Sequence, residues 1–273
     1  MTDRPARPPR PQHVLEVVST EWLSPHLVRV RARGADLSAF RASPYTDRYV
    51  KIHFAKPELG LEPPYDLAAL RERLAPADLP VTRTYTVREV DGDELAIDFV
   101  VHGDEGLAGP WAASARAGDR LVLVGPGGGY APGPTADWHL LAGDDSAIPA
   151  IAAALEALSP DATGVALIEV QGAGDELALR APDGVEVRWL HRGDDVAGTS
   201  RVLVDAVAGW GPPAGRGQVF AHGEREAMKA LRDVLFGRRG LARDQVSLSG
   251  YWAYGRTEDR FQAEKREPIG QIL

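Results

Sequence analysis

Apolar and polar residues alternate along much of the first half of the chain. This period of two is typical of half-buried strands, and turn-forming residues separate several of the segments that have it. One such turn, Asp91-Gly92-Asp93, is a hairpin signal. Between residues 56 and 80 the alternation lapses, and prolines bracket one short helical segment, residues 66–74. The alternation predicts six strands, enough to close a small antiparallel barrel: residues 13–20, 26–33, 48–55, 81–89, 94–101 and 120–124.

The pattern changes after residues 131–134, which read Ala-Pro-Gly-Pro. Continuous apolar runs then alternate with helical segments, which indicates a parallel sheet covered on both faces. We therefore predict a barrel domain at 13–133 and a Rossmann-like α/β domain at 134–255, between a disordered tail at 1–12 and a C-terminal extension at 256–273. The predicted strands are 138–142, 164–171, 184–190, 217–221 and 245–248, and the predicted helices are 147–158, 200–208 and 224–236.

Composition narrows the possible chemistry. The 273 residues are 44% hydrophobic and 26% charged, as in soluble globular proteins, and no apolar run approaches the roughly 18 residues of a membrane span. The Arg- and Pro-rich N-terminus lacks the apolar core of a signal peptide, so we expect a cytoplasmic protein. A net charge of −8 argues against nucleic-acid binding. Because the chain has no Cys, Cys-ligated clusters are excluded, no metal site is predicted, and electron transfer would need an organic cofactor.

The tetrapeptide Arg83-Thr84-Tyr85-Thr86 lies within one predicted strand. Its Arg offers donors to a phosphate, its Tyr a stacking face, and its second Thr a small hydrogen-bonding group. An ordinary strand with a solvated Arg would have the same sequence pattern. Residues 98–112 then run from a strand through a Gly-rich turn into a helix that has Pro110 in its first turn. Such a turn lets backbone amides approach an anion, which makes it a candidate pyrophosphate site.

In these features the chain resembles the siderophore-interacting protein family, FAD-dependent ferric-siderophore reductases built on the ferredoxin-reductase plan. The resemblance covers roughly residues 13–267. The relatives usually carry Ser where this chain has Gly109, which puts one hydroxyl contact to the pyrophosphate in doubt. The resemblance depends on the order and spacing of six stretches: 83–86, 102–112, 125–129 (Gly-Pro-Gly-Gly-Gly), 143–149 (Gly-Asp-Asp-Ser-Ala-Ile-Pro), 249–252 (Ser-Gly-Tyr-Trp) and 264–267 (Glu-Lys-Arg-Glu).

The resemblance implies an FAD site on the barrel. Tyr251 and Trp252 come from the end of the second domain, where the ferredoxin-reductase plan places an aromatic cover over the flavin ring. Either could instead be plain core, and His102 could be an ordinary strand-end residue. The implied FAD residues are Arg83, Thr84, Tyr85, Thr86, Val101, His102, Gly106, Leu107, Ala108, Gly109, Trp111, Tyr251 and Trp252.

A nicotinamide site is expected at the carboxyl ends of the parallel strands. Simpler interpretations exist, since Ser146 can be a helix N-cap, Glu224 a helix-start charge and His222 a solvated residue. Asp175 and Glu176 follow the second strand, where carboxylates can accept from a ribose hydroxyl and repel a 2′-phosphate, which slightly favours NADH over NADPH. The expected nucleotide residues are Gly143, Asp144, Ser146, Ala147, His222, Gly223, Glu224 and Gly250.

For the substrate, an anionic ferric siderophore, an acidic protein needs a local basic pocket. The family pattern matches Lys51, Arg256, Lys265 and Arg266 to it, although residues 264–267 can also be one solvated helix face. The chemistry requires no protein acid, base or nucleophile, and Lys265 is the candidate for proton delivery. We expect a monomer that uses FAD with NADH or NADPH and needs no protein partner. The alternatives are a general NAD(P)H:flavin diaphorase and a non-catalytic siderophore- or flavin-binding protein.

Overall fold

The first half of the protein is a closed antiparallel barrel of six strands, as predicted. The computed structural model describes residues 11–103 and 106–273. Most of the predicted tail lies outside these ranges, but Gln12 already belongs to the first strand. The barrel order is β1-β2-β5-β4-β3-β6. Its strands are β1 (Gln12–Ser24), β2 (Leu27–Arg33), β3 (Tyr49–Phe54), β4 (Val81–Asp91), β5 (Glu94–Val100) and β6 (Arg120–Gly127).

Alternate residues of each strand fill the barrel. Val50 and Ile52 of β3 are fully buried with Phe99 of β5, so Tyr49 and Lys51 point to the outer face. Three short helices lie between the strands: α1 (Ser38–Arg41), α2 (Leu67–Arg73) and α3 (Ala108–Ser114).

The second half is a five-stranded parallel sheet in the order β11-β10-β7-β8-β9. One face packs on α4, and the other on α5 and α6, which confirms the predicted α/β architecture. The strands are β7 (Trp138–Gly143), β8 (Gly164–Val170), β9 (Val185–His191), β10 (Gly217–Glu224) and β11 (Val246–Trp252). The helices are α4 (Ile148–Ala157), α5 (Val202–Gly209), α6 (Arg225–Arg232), which continues into a π turn (Asp233–Arg238), and α7 (Glu258–Glu264). Single 3₁₀ turns occur at Pro57–Leu59, Pro76–Asp78, Asp145–Ala147, Ala173–Asp175, Arg243–Gln245 and Pro268–Gly270.

Several strands run further than the sequence pattern predicts, and two of these extensions, in β10 and β11, change the interpretation of predicted site residues. β10 continues past residue 221 to Glu224, and β11 continues past residue 248 to Trp252. Tyr251 and Trp252 are therefore strand residues, and neighbouring side chains of a strand point to opposite faces.

Several polar contacts join the barrel to the α/β half, among them those of Arg88 and of Asp175. Arg88 of β4 donates from Nη1 and Nη2 to Glu156 of α4, at 3.0 and 2.7 Å. Asp175 turns back to the β1–β2 hairpin, where its Oδ1 lies 2.9 Å from His26 Nδ1 and accepts from Ser24 Oγ at 3.1 Å. Across residues 11–103 and 106–273, none of the helices combines the length and the apolar character that a bilayer crossing requires.

Candidate cofactor and substrate site

Arg83 lies on β4 where the C-terminal helix α7 meets the barrel. Its Nη1 donates to the Thr82 carbonyl at 2.8 Å and to Asp259 Oδ1 at 3.0 Å, and its Nη2 lies 3.4 Å from Asp259 Oδ2. The Asp259 side chain is 71% exposed. The guanidinium therefore already presents its two terminal nitrogens to an anionic group, as phosphate binding requires.

The rest of the tetrapeptide divides between two sides of β4. Tyr85 packs on Phe99, with ring centroids 4.4 Å apart, and burial raises the pKa of its hydroxyl. Thr86 is buried on the opposite side, where its side chain lies close enough to the Tyr251 hydroxyl of β11 to act against the rise in its pKa. Burial also raises the pKa of Tyr251, so both phenols stay protonated. Thr84 is exposed beside Lys51 of β3, its partner across the strands.

The predicted pyrophosphate turn leads from β5 into α3. Gly106 has a φ of 83° and open space around its Cα; Asp104 and Glu105, which precede it, lie outside the described residues. A Cβ at Gly109 would lie 3.1 Å from the Val100 carbonyl oxygen, so glycine lets α3 pack closely on the end of β5. In the first turn of α3, Pro110 has no N–H and Trp111 N donates to the Leu107 carbonyl at 3.2 Å, so the Ala108 and Gly109 amides are the ones that can face an anion.

These groups fit an FAD. The donors of Arg83 suit a phosphate, Tyr85 supplies an aromatic face, and the Thr86 and Tyr251 hydroxyls supply neutral hydrogen-bonding groups on the other side of β4. The remaining predicted FAD residues border the turn. Val101 and Ala108 are buried, Leu107 and His102 are exposed, and Trp111 packs on Phe54 and Phe99 at centroid distances of 5.4 and 5.7 Å.

Asp144 connects the carboxyl ends of β7, β10 and β11. Its Oδ1 accepts from Ser146 N and Oγ at 3.0 and 2.5 Å. Its Oδ2 accepts from Glu224 N at 2.7 Å and from Trp252 Nε1 at 2.9 Å. Four donors and 7% exposure make Asp144 a structural centre of the strand ends. Trp252 is thus attached to Asp144, whereas Tyr251 faces the barrel.

The other strand-end residues are closely packed. A Cβ on Gly143 would meet Ala147 Cβ at 2.4 Å, and one on Gly223 would meet Asp144 Oδ2 at 2.6 Å. Gly250 faces the C-terminal segment, because its Cβ would lie 3.0 Å from Ile272. The glycines therefore allow the strand ends to approach each other.

Glu224 and His222 have local structural roles. Glu224 Oε2 caps α6 by accepting from Glu226 N and Ala227 N, at 2.6 and 2.9 Å, as its helix-start interpretation predicts. His222 is 3% exposed, and its Nε2 lies 2.9 Å from Ser247 Oγ. Desolvation lowers the pKa of His222 to about 3, so the imidazole is neutral at physiological pH and cannot supply a proton there.

Sequence reasoning missed a buried charged group next to this site. Arg192 Nη1 donates to Asp145 Oδ2 at 2.7 Å. Desolvation raises the pKa of Asp145 to about 6 and that of Glu169 to about 7, with Arg192 opposing both shifts. Glu169 is the only charged residue in the apolar strand β8, and that was the available signal.

The carboxylates expected at the ribose both have protein partners. Asp175 is 6% exposed and bonded to the β1–β2 hairpin. Glu176 Oε1 lies 2.7 Å from His191 Nε2 at the surface. The sequence argument for NADH thereby loses its main residue, Asp175.

The four basic residues expected around the substrate fall into two groups. Lys51 and Lys265 are exposed and close enough to interact electrostatically: partial desolvation lowers the pKa of Lys265, Lys51 acts in the same direction, and Glu258 opposes them. Arg256 instead donates to Glu264 Oε1 at 2.9 Å. Arg266 is exposed beyond the end of α7.

Glu264 fixes α7 to the α/β half. It is 1% exposed, and it accepts from Arg225 at 2.6 Å, Arg260 at 2.7 Å and Arg256. Hydrogen bonds from Arg225 and Arg260 lower the pKa of Glu264 to about 2. The bond to Arg225 holds the helix that carries Asp259 and ends beside Lys265 against the start of α6, and the bonds from Arg256 and Arg260 fix the helix and the segment before it.

Comparison with known proteins gives the same assignment for both halves. Residues 16–130 match the family described as "Siderophore-interacting FAD-binding domain", and residues 136–255 match "Siderophore-interacting protein". The fold is also that of ferredoxin reductases: the chain aligns with the ferredoxin reductase in carbazole 1,9a-dioxygenase with a TM-score of 0.61 at 18% identity, covering 92% of this chain and 69% of that one.

Individual relatives match nearly the whole chain. An uncharacterized protein of Mycobacterium tuberculosis is 49% identical over 94% of this chain and 96% of its own. Ferric vibriobactin reductase ViuB of Vibrio cholerae is 35% identical over 92% and 93%. The crystal structure of a siderophore utilization protein from T. fusca superposes with a TM-score of 0.78 at 37% identity, over 91% of this chain and 95% of that one. With both halves matched and these relatives aligned along their full lengths, the chain belongs to the siderophore-interacting protein family.

Proposed function

We propose that this protein is an NAD(P)H-dependent ferric-siderophore reductase. The observation that carries the proposal is the meeting of three elements at β4: the Arg83–Thr86 tetrapeptide, the end of β11 at Tyr251, and the exposed pair Lys51 and Lys265. A relative that aligns over 92% of the chain is named a ferric vibriobactin reductase.

FAD, when bound, supplies the redox chemistry: it takes a hydride from the nicotinamide and passes electrons one at a time to the ferric chelate. The protein binds and orients. Arg83 and the Ala108 and Gly109 amides at the start of α3 would hold the phosphates. The neutral Tyr85 would supply an aromatic face for the ring system, and the neutral Tyr251 would lie on the other side of β4 with Thr86. Hard oxygen chelators hold Fe(III) better than Fe(II), so a one-electron reduction loosens the complex.

Lys51 and Lys265 supply the positive charge that an anionic chelate needs. Because partial desolvation and Lys51 lower the pKa of Lys265, its ammonium releases a proton more readily than an ordinary lysine. We assign it proton delivery to the released chelator. The nucleotide binds at the carboxyl ends of β7 and β10, around residues 143–147 and 222–224. Further parts of the proposal are a monomeric state and a cytoplasmic location.

The test is an anaerobic absorbance titration of the purified holoprotein. We expect NADH or NADPH to bleach the flavin bands and a ferric siderophore to restore them. Both nucleotides are tested because Asp175, the expected barrier to a 2′-phosphate, is bonded to the barrel. Bands that bleach but recover only with a redox protein would identify a general diaphorase. Bands that no nucleotide bleaches would indicate a non-catalytic binding protein, and a chain that cannot be loaded with FAD would refute the assignment.

A further inference from the structure

Two exposed tyrosines lie on a run of glycines on the outer face of the barrel. Tyr45 and Tyr49 are each 39% exposed. A Cβ at Gly127 would lie 2.3 Å from Tyr49 Cζ, and a Cβ at Gly128 would lie 2.6 Å from Tyr45 Cβ. Both tyrosines therefore pack directly on the backbone of residues 127 and 128, at positions where a side chain would displace them.

The backbone beneath these rings is held in place. Thr46 N donates to the Tyr130 carbonyl at 2.8 Å. Asp47 Oδ1 accepts from Gly129 N and Tyr130 N, at 2.8 and 2.9 Å. The loop that carries Tyr45 is thus attached to the glycine run at several points, so the tyrosines form a preorganised surface.

This surface adjoins the proposed substrate site. Tyr49 lies between Gly127 of β6 and Thr86 of β4, and Lys51, two residues further on the same face, is opposite Thr84. Tyr49 is therefore a neighbour of Thr86 and of Lys51, which lies close to Lys265, and Tyr45 extends the surface over Gly128. Neither tyrosine was assigned a role from the sequence.

We propose that Tyr45 and Tyr49 form an aromatic wall that selects ferric chelates with aromatic, catecholate-type arms. The inference rests on the proposed function. Tyrosine faces stack on flat rings, while the adjacent lysines attract the negative charge of a tris-catecholate complex. An anionic chelate with aliphatic arms gains the charge attraction but not the stacking.

The test separates stacking from charge by using two gallium(III) complexes, tris-catecholate and tris-oxalate, which carry the same charge and are not reduced. Each is titrated into the holoprotein by calorimetry. We expect Tyr49→Leu and Tyr45→Leu to weaken tris-catecholate binding about three- to tenfold and to leave tris-oxalate within about twofold. Tyr49→Phe keeps the ring and should match the parent. Trp22→Leu, which removes an aromatic that is 53% exposed elsewhere on the barrel, should also match it.

A second variant moves the ring without deleting it. Gly127→Ala places a methyl group where the far end of the Tyr49 side chain lies, and this exposed ring can swing away, so the same selective loss is expected. The proposed aromatic wall would be refuted if the variants lost equal affinity for both complexes or no affinity for either, or if Tyr49→Leu lost its FAD. These outcomes differ from failure of the proposed function, in which nucleotide does not bleach the parent's flavin or ferric catecholate does not restore it.

Discussion

Replacing Asp144 by Asn tests whether this residue holds the strand ends together. The amide keeps the shape of the side chain but removes its charge and turns one acceptor into a donor. In one orientation the new NH₂ faces Glu224 N–H and Trp252 Nε1–H, and in the other it faces the two donors of Ser146. Two donors, each at least partly buried, lose their acceptor whichever way the amide turns.

The expected loss can be worked from these contacts. A hydrogen bond to a charged group contributes about 1.5–3 kcal/mol, and an unsatisfied buried donor costs about 1–3 kcal/mol. With two donors affected and some relaxation, we expect Asp144→Asn to lower the free energy of unfolding by about 2–5 kcal/mol. The measurement is urea denaturation followed by circular dichroism.

A matched variant completes the experiment. Trp252→Phe removes one donor and leaves the other three bonds of Asp144 in place, so its loss should be smaller. In the double variant the two losses should not add, because the bond between these side chains is already absent in either single variant. A loss below about 0.5 kcal/mol for Asp144→Asn, or strict additivity with Trp252→Phe, would refute the structural role. Weaker nucleotide binding at unchanged stability would make Asp144 a nucleotide ligand instead.

Two further predictions concern charge. Asp259→Asn should tighten FAD binding to the apoprotein by up to about fivefold at low ionic strength, because the exposed ion pair that competes for Arg83, which contributes about 0–1 kcal/mol, is removed. The gain should vanish at high salt. Fluorescence titration measures the affinity with Asp78→Asn as the control, and an unchanged affinity would exclude competition. Glu169→Gln should flatten the pH dependence of stability. Burial raises the pKa of Glu169 to about 7, so the folded state keeps a proton that the unfolded chain releases. In the parent, the free energy of unfolding therefore falls as pH rises toward and through 7. Urea denaturation at about pH 5 and pH 8 measures it, and equal slopes in parent and variant would contradict the raised pKa.

The barrel and the alternation of strands and helices in the α/β half could be predicted from sequence because each depends on local patterns. The barrel strands each have one buried and one exposed face, so alternation reveals them. The ends of β10 and β11 could not be predicted, since Gly223 and Gly250 look like strand breakers. Their glycines serve close contacts with Asp144 and Ile272, residues distant in sequence.

The same limit applies to side chains in the site. Motif position selected the strands that we propose carry the site, but it could not give the partners of individual groups. Asp144 meets donors 80 and 108 residues away, and Asp175 bonds to a hairpin 149 residues earlier. A carboxylate at the end of a strand gives the same sequence pattern whether it faces a ribose or another part of the protein. Only the folded arrangement distinguishes the two.

The Arg88–Glu156 and Asp175–His26 contacts make the two halves one mechanical unit. A hinge that opened the molecule would have to separate a bidentate ion pair and strip the buried Asp175 of its partners. If the protein has the proposed function, its reactants would enter and leave without an opening of this kind, and the two halves would stay together while they do.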